Sequence, residues 1–281
     1  MKIKLIAFDL DGTLLKNDKT VSERNLESLA KAAERGIHMV PATGRLYEGM
    51  PDEIRSLPFV RYVIAINGAQ IYDAKEKRIL HREELSKEET ERVFAYMEDA
   101  PAICGCYQDG KGWMDGREYK KIEEYAAGPK LLSTMRAIYR PLERMKEKIL
   151  LEGPDLQKIQ YYFMDTKKRD QILADLAAAF SDLEISTSLP NNIEINSSGA
   201  NKGKGLLFLC EHLQIKPEEC MTFGDGTNDL SLILQAGTGV AMENAAPEVL
   251  AAAKYHTGTN ERDGVAEMIE KYLESEEKRV R

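Results

Sequence analysis

Short apolar segments that end in polar or glycine-bearing loops recur along this chain and limit the folds that it can adopt. Ile3 to Phe8 stops at DLDGT, Ile37 to Ala42 stops at TGR, and Tyr62 to Ile66 stops at NG. Between the first two, Ser22 to Glu34 has apolar residues at helical spacing and is followed by Gly36. Strands alternating with helices predict a parallel sheet covered on both faces, with ligands beyond the carboxyl ends of the strands.

Beyond residue 82 this rhythm changes. Ser86 to Glu89 has the Ser-x-x-Glu pattern of a capped helix start, and shorter, partly alternating strands are expected at Ile103 to Tyr107 and at Leu156 to Met164. The first rhythm resumes at Asn192 to Asn196 and reaches another apolar strand at Cys220 to Phe223. A second, mixed module is therefore expected to interrupt the parallel-sheet core.

These boundaries predict an α/β protein in two parts. We expect a doubly wound, mostly parallel, Rossmann-like sheet core formed by residues 1–82 and 189–281, with a smaller inserted α/β cap formed by residues 83–188. A length of 281 residues suits a core with one inserted module.

The charge balance opposes binding to nucleic acid. The chain has 39 lysine and arginine residues against 47 aspartate and glutamate residues, a formal net charge of -8. A phosphorylated ligand must therefore meet positive charge that is concentrated locally by a metal, a lysine or backbone N–H groups. No apolar stretch approaches the roughly 20 residues of a membrane span. We expect a cytoplasmic protein with reduced cysteines, no membrane partner and no evident obligate protein partner.

Asp9 and Asp11 directly follow the first predicted strand, with Gly12 and Thr13 after them. A carboxylate can attack phosphorus only when a cation offsets the repulsion between two anions, and a second carboxyl group can protonate the leaving alkoxide. The same residues also suit a solvated turn between a strand and a helix. This motif by itself leaves both interpretations open.

Two further segments offer groups that bind phosphate. Thr43 and Gly44 follow the second strand and provide a hydroxyl and a backbone N–H, while Arg45 is placed to reach a substrate anion. Lys202 begins a predicted helix and is a candidate to neutralise nucleophile and phosphate together, although Lys204 competes for this role. Each segment alone also suits an ordinary loop or a solvated helix start.

The segment GDGTND, residues 224–229, places two carboxylates and an amide in a turn after an apolar strand. Hard cations such as Mg²⁺ take oxygen ligands and retain several waters, so one or two carboxylates and a phosphate suffice. Asp225 and Asp229 are the candidate metal ligands, and an acidic capped turn is the alternative.

Taken in order, DLDGT, Thr43-Gly44-Arg45, Lys202 and GDGTND resemble the four signature motifs of the haloacid dehalogenase superfamily. The resemblance spans Ile3 to about Asp263. The placement of the α/β insertion between the second and third motifs resembles the Cof-type subgroup of sugar-phosphate and cofactor-phosphate phosphatases.

This resemblance implies a role for each matching residue. Asp9 is expected to be the nucleophile and a magnesium ligand, and Asp11 the general acid and base with its backbone carbonyl on the metal. Thr43 and Lys202 are expected to hold the phosphoryl group. The remaining implied residues are Asp225 as a direct magnesium ligand, Asp229 as a support of the metal site, Asn228 near the phosphate and Asn67 near the substrate.

The predicted function is magnesium-dependent hydrolysis of small phosphorylated metabolites through an aspartyl-phosphate intermediate. A phosphomutase and a catalytically silent protein that binds phosphometabolites are the alternatives, and the natural substrate is not readable from the chain. Tyr107, Trp113 and Arg117 are candidate cap contacts, with a packed hairpin as the preferred interpretation of this cluster.

Overall fold

The computed structural model describes residues 2–280, whose strands form three sheets. The strands are β1 (Leu5–Phe8), β2 (His38–Pro41), β3 (Tyr62–Ala65), β4 (Gln70–Asp73), β5 (Arg78–Arg82), β6 (Ala102–Gln108), β7 (Lys111–Asp115), β8 (Tyr139–Leu142), β9 (Lys158–Phe163), β10 (Leu183–Ser186), β11 (Asn192–Ser197), β12 (Cys220–Gly224), β13 (Thr238–Met242) and β14 (Tyr255–Thr257). The helices are α1 (Glu23–Glu34), α2 (Asp52–Arg55), α3 (Lys87–Tyr96), α4 (Gly116–Tyr119), α5 (Ile122–Tyr125), α6 (Pro129–Ile138), α7 (Met145–Glu152), α8 (Thr166–Ala179), α9 (Lys202–Leu213), α10 (Leu230–Gln235), α11 (Pro247–Ala252) and α12 (Gly264–Val280).

The core sheet is parallel throughout, in the order β14-β13-β12-β1-β2. Its central strand β1 has the sequence LIAF and is buried on both faces, as a strand between two helical layers must be. Ile6 and Phe8 join the apolar cluster that contains α1 and α12, whereas Leu5 and Ala7 join the cluster that contains α9 and α10. The predicted doubly wound core is confirmed.

Beside β2, the chain forms a smaller antiparallel sheet in the order β3-β4-β5. Isolated parallel bridges from Met39 to Val60 and from Ala42 to Ile64 connect this sheet to β2. The sequence pattern predicted β3 but not the two strands that follow it. Through these bridges the turn after β3 comes close to the carboxyl ends of β1 and β2.

The inserted module has its own sheet, in the order β10-β11-β9-β6-β7-β8, which is antiparallel apart from the β7–β8 pair. Strand β11 lies in this sheet, so the prediction that the core resumes at residue 189 is wrong for Asn192–Ser197. The physical reason is that successive side chains of a β-strand point to opposite faces of the sheet. Ile193 and Ile195 enter the cap's apolar cluster, while Glu194 and its polar neighbours face the core.

Two segments join the cap to the core, one before α3 and one between β11 and α9. At the first, the Glu83 N–H donates to the Ala69 carbonyl at 2.9 Å, and Leu85 pairs with Leu156. Ser86 and Glu89 make the reciprocal bonds of the predicted capping box. All four cysteines are free and buried. Within residues 2–280, no helix combines the length and apolar character that a membrane crossing requires.

Candidate active site

The carboxyl ends of β1, β2 and β12 bring three of the four predicted motifs together, namely DLDGT, Thr43-Gly44-Arg45 and GDGTND. Phe8 is paired with Phe223, and the Asp9 N–H donates to the Phe223 carbonyl at 3.0 Å. Asp225 therefore lies beside Asp9, although 215 residues separate them in the chain. Thr43 follows β2, the neighbour of β1 on its other side. The parallel register alone accounts for this convergence.

Lys202 occupies the centre of this acidic site from the first turn of α9. Its Nζ lies 2.7 Å from Asp9 Oδ1 and 2.5 Å from Asp229 Oδ1, and its side chain is completely buried. Burial by itself lowers the pKa of Lys202, but the carboxylates of Asp229 and Asp9 outweigh burial and hold that pKa above its ordinary value. The competing Lys204 is exposed and donates to the Ser198 carbonyl. The structure therefore brings Lys202, not Lys204, to the predicted nucleophile.

Asp9, Asp225 and Asp229 form an acidic cluster in which one oxygen atom from each lies within 4.8 Å of the others. Burial raises the pKa of Asp9 well above its ordinary value, and the neighbouring carboxylates add to this effect while Lys202 opposes it. Burial and the charge of Asp229 raise the pKa of Asp225 to about 7. The single ammonium group of Lys202 therefore does not balance the negative charge of the three carboxylates. An all-oxygen donor set of this kind fits a hard divalent cation.

Asp229 has both oxygens engaged within the protein. Oδ1 accepts from Lys202, and Oδ2 accepts the backbone N–H groups of Asp225 at 2.9 Å and Gly226 at 3.0 Å. Thr13 also donates to Asp225 Oδ1 at 2.7 Å. Asp229 thus fixes the loop that carries Asp225, which leaves Asp9 and Asp225 as the more available oxygen donors of the cluster.

Asp11 is held by two cations in this conformation. Arg45 donates through Nε to Oδ2 and through Nη2 to Oδ1, and Lys19 donates to Oδ1, each at 2.7 Å. Although burial opposes it, pairing with Arg45 and Lys19 lowers the pKa of Asp11 to about 2. Arg45 lines the cavity, as expected of a substrate contact, but its guanidinium is paired with Asp11. No sequence motif marked Lys19.

Thr43 and Gly44 form a tight loop next to the nucleophile. Thr43 is 1% exposed, and its Oγ1 accepts the Arg45 N–H at 3.2 Å. A Cβ atom on Gly44 would lie 3.0 Å from Asn67 Oδ1. Both residues line the cavity above Asp9, so the structure brings the predicted phosphate-binding loop next to the predicted nucleophile.

The turn after β3 is left-handed at three successive residues, with φ values of 53° at Ile66, 56° at Asn67 and 95° at Gly68. A β-branched residue such as Ile66 rarely adopts this conformation, and such strain costs about 1–3 kcal/mol. A Cβ on Gly68 would lie 2.3 Å from the Asn201 carbonyl oxygen. The strained turn buries the Asn67 side chain between the core loops and the cap.

A chain of hydrogen bonds runs from the cap to both phosphate-side loops. The cap residue Lys158 donates to the Gly44 carbonyl at 2.7 Å and lies 3.3 Å from Glu194. Glu194 accepts from Asn67 Nδ2 at 2.5 Å, and Asn67 Oδ1 accepts from Asn228 at 3.1 Å. We call these four residues, Lys158, Glu194, Asn67 and Asn228, the cap–core chain. Asn67 does not line the cavity, so the structure places this predicted substrate contact behind the wall.

The cap–core chain contains a buried ion pair. Burial lowers the pKa of Lys158, and Glu194 opposes this effect in part. Burial raises the pKa of Glu194, but Lys158 and donors including Ser188 and Asn67 outweigh it and lower that pKa. Lys158 and Glu194 are thus charged partners in the cap–core contact. Removing either one would leave the other as an uncompensated charge in a low-dielectric site.

Core and cap together line a cavity of about 290 Å³ above Asp9 and Asp225. Of the candidate cap contacts, Tyr107 lines it, Trp113 packs on the cap's apolar cluster, and Arg117 is exposed. Sequence reasoning missed the remaining cap groups, most of which come from β9, β11 and α6. One signal was present: at the start of Lys158–Phe163 polar and apolar residues alternate, with Lys158 and Gln160 on the face turned to the core.

This fold and site define a Rossmann-like hydrolase with an inserted cap. A sequence model described as haloacid dehalogenase-like hydrolase matches residues 6–269. The chain belongs to this family.

Individual relatives agree with this assignment. The chain is 31% identical over 278 residues to 5-amino-6-(5-phospho-D-ribitylamino)uracil phosphatase YcsE of Bacillus subtilis (strain 168), with 96% of each chain covered. It is 30% identical over 251 residues to the HMP-PP phosphatase of Escherichia coli (strain K12 / DH10B), covering 88% of this chain and 87% of the relative. A solved haloacid dehalogenase-like hydrolase from B. subtilis superposes with a TM-score of 0.83 at 30% identity, covering 95% of this chain and 99% of that one. The predicted assignment to the Cof-type phosphatases of this superfamily is confirmed.

Proposed function

We propose that this protein is a magnesium-dependent phosphatase that hydrolyses small phosphorylated metabolites through a phosphoryl group carried covalently on Asp9. The observation that carries the proposal is the position of Lys202 Nζ, 2.7 Å from Asp9 Oδ1 and completely buried. An ammonium group in this position opposes the burial that raises the pKa of Asp9 and offsets the charge of an incoming phosphate. The relatives named above are phosphatases whose names specify small phosphorylated substrates.

In the first step, an Asp9 carboxylate oxygen attacks phosphorus while the bond from phosphorus to the ester oxygen breaks. The leaving alkoxide takes a proton from Asp11. In the second step, water gives a proton back to Asp11 and attacks phosphorus, which breaks the bond to Asp9 and releases inorganic phosphate. Atoms and charge balance across the two steps, and Asp9 returns to its starting state.

The chain's own residues supply most of the positioning. Lys202 and the Thr43 loop hold the equatorial oxygens, and Asn228 borders the same space. Asp9, Asp225 and the Asp11 backbone carbonyl would hold the magnesium ion, with Asp229 supporting them. When bound, the ion neutralises charge on the phosphoryl oxygens.

Asp11 must leave its present partners and take up a proton from solvent before it can protonate the leaving group, because pairing with Arg45 and Lys19 lowers its pKa to about 2. Both of its oxygens are engaged by Arg45 and Lys19 in this structure. A substrate anion that pairs with Arg45 would release Asp11 to approach the ester oxygen. Substrate binding would then position the general acid.

The test is phosphate release from p-nitrophenyl phosphate and from a panel of phosphorylated metabolites, with magnesium and with excess EDTA. We expect release that requires the metal. Full activity in excess EDTA would contradict the proposed metal role, and binding of phosphometabolites without any turnover would favour a silent binding protein. Turnover of hexose phosphates only in the presence of a bisphosphate activator would favour a phosphomutase.

A further inference from the structure

One loop of the core bonds to both segments that carry the proposed magnesium ligands. This loop follows β13. Its Asn244 donates from Nδ2 to the Gly12 carbonyl at 2.8 Å. Its Ala246 backbone N–H donates to the Asp225 carbonyl at 2.8 Å. Gly12 directly follows Asp11, whose own carbonyl is a proposed ligand, so the loop connects the ligands after β1 with the ligand after β12.

The two connected segments also contact each other directly. Thr13 Oγ1 donates to Asp225 Oδ1 at 2.7 Å. Gly12 has a φ of 83°, and a Cβ atom at this position would collide with the Asp225 carboxylate. Because Gly12 and Thr13 are neighbours in the chain, the hydrogen bonds close a ring through Gly12, Thr13, Asp225, Ala246 and Asn244. We call these five residues the metal-loop ring. Its bonds fix the segment after β1 relative to Asp225.

Asn244 is the exposed member of the metal-loop ring, whereas the other four residues are buried or half-buried. Both ends of its amide are nevertheless bonded to the protein, because Oδ1 accepts the Asn260 N–H at 3.0 Å while Nδ2 donates to Gly12. Asn260 is 4% exposed and donates from its own side chain to the Leu15 carbonyl at 2.9 Å. An exposed amide can exchange such bonds for bonds to water at a small net cost. The contacts of Asn244 therefore contribute more to the position of Gly12 than to the stability of the fold.

From these contacts we propose that Asn244 is a positioning residue for the magnesium site. Asn244 holds the peptide of Gly12, and with it the carbonyl of Asp11, at a fixed position relative to Asp225. Ligands that are already in place need no ordering when an ion binds, and ordering is one of the costs of binding. Asn244 thus raises the affinity for magnesium without touching the ion. This inference rests on the proposed magnesium site and adds a residue that supports it.

The first test measures magnesium binding without turnover. Asn244→Ala is titrated with magnesium, and the half-saturating concentration is read from the rise in Tm by differential scanning fluorimetry. We expect this concentration to rise at least about fivefold, the net contribution of one hydrogen bond, while the Tm in EDTA stays close to the wild-type value. Gln171→Ala is the matched control, because Gln171 is an exposed amide on α8 that donates to Asp175 at 3.0 Å. This control is expected to bind magnesium as the wild type does.

The second test separates positioning from general damage to the core. Asp9, Asp11 and Lys202 are unchanged in Asn244→Ala, so excess magnesium should draw the loosened ligands into place. We expect kcat for p-nitrophenyl phosphate to be reduced at low magnesium and to return to within about threefold of the wild-type value at saturating magnesium. A damaged core would instead lower kcat at every magnesium concentration and lower the Tm in EDTA.

The outcomes separate this inference from the proposed function. A wild-type magnesium dependence in folded Asn244→Ala, or a loss of kcat that excess magnesium does not restore, overturns the inference and leaves the phosphatase function intact. A wild-type protein whose Tm does not respond to magnesium and which is fully active in EDTA overturns both. Asn244→Ser, whose side chain is too short to reach the Gly12 carbonyl, replaces Asn244→Ala if that variant does not fold. Failure of both variants to fold would make Asn244 a structural residue and overturn the inference.

Discussion

The two walls of the cavity use polar groups in different ways. On the core side, Asp9, Asp225 and Lys202 hold charge close together, and the pKa of each carboxyl group is raised by burial that the single lysine only partly offsets. On the cap side, Glu194 is surrounded by donors and its pKa is lowered. The core is therefore poised to receive a cation and a phosphate, whereas the cap's polar groups are already satisfied. The difference supports the proposal that the core performs the chemistry and that the cap selects and positions the substrate.

Removing the nucleophile tests the core side most severely. Asp9→Asn keeps nearly the same volume but cannot attack phosphorus, so we expect a loss of about 10⁴-fold or more in kcat for every substrate. Lys202 retains Asp229 as a partner, so the variant is expected to fold. Steady-state kinetics with thermal unfolding checks this, and substantial turnover by the folded variant would remove Asp9 from the role of nucleophile.

The charge balance of the core is tested by Lys202→Met. This change leaves Asp9 and Asp229 buried without their cation, so we expect activity to be lost and the free energy of unfolding to fall by roughly 3–5 kcal/mol in the absence of metal. Lys204→Met is the matched control two residues away, because Lys204 is exposed and its ammonium group donates to the Ser198 carbonyl. Denaturant unfolding and steady-state kinetics of the two variants measure these effects. Equal effects from the two substitutions would contradict the assignment of Lys202.

The cap–core chain is tested by Lys158→Met. The variant loses the hydrogen bond to the Gly44 carbonyl and the ion pair with Glu194. Since hydrogen bonds to charged groups contribute about 1.5–3 kcal/mol, we expect kcat/KM to fall roughly 10- to 100-fold. Lys167→Met, at an exposed position of the same module, is the control. Wild-type kinetics in a folded Lys158→Met protein would show that the cap acts only as a cover.

A smaller effect is expected on thermal stability. Magnesium should raise the Tm of the wild-type protein by a few degrees, since a ligand that binds only the folded state stabilises it and a cation relieves the repulsion between Asp9 and Asp225. Asp225→Asn should abolish most of this shift. Differential scanning fluorimetry with and without EDTA measures it, and an equal magnesium shift in both proteins would place the ion elsewhere.

The sequence was sufficient for the core site because each motif directly follows a strand of one parallel sheet. Once β1 lies between β2 and β12, the register alone puts Asp9 beside Thr43 and Asp225. Local signals also located the capping box at Ser86 and Glu89. The core site is thus predictable from short sequence motifs and one rule, that the carboxyl ends of neighbouring parallel strands lie side by side.

The cap side was less predictable because its groups act through partners that are distant in the chain. The role of Lys158 depends on Gly44, 114 residues away, and no local pattern specifies that contact. Chain order predicts strand β11 in the core, whereas its alternation of polar and apolar residues fits the cap sheet in which it lies. As a consequence, a capless protein designed on residues 83–188 would leave β11 without its sheet, and a deletion that extends through Ser197 is the sounder design.

The most direct test of the account is to trap the covalent intermediate. During turnover of p-nitrophenyl phosphate with magnesium, rapid denaturation followed by borohydride reduction converts an aspartyl phosphate into homoserine, which peptide mass spectrometry locates in the chain. The account predicts homoserine at position 9, formed only when substrate is present and absent from Asp9→Asn. Modification of a different residue, or an unmodified residue 9 in a protein quenched while an acyl phosphate accumulates, would contradict it.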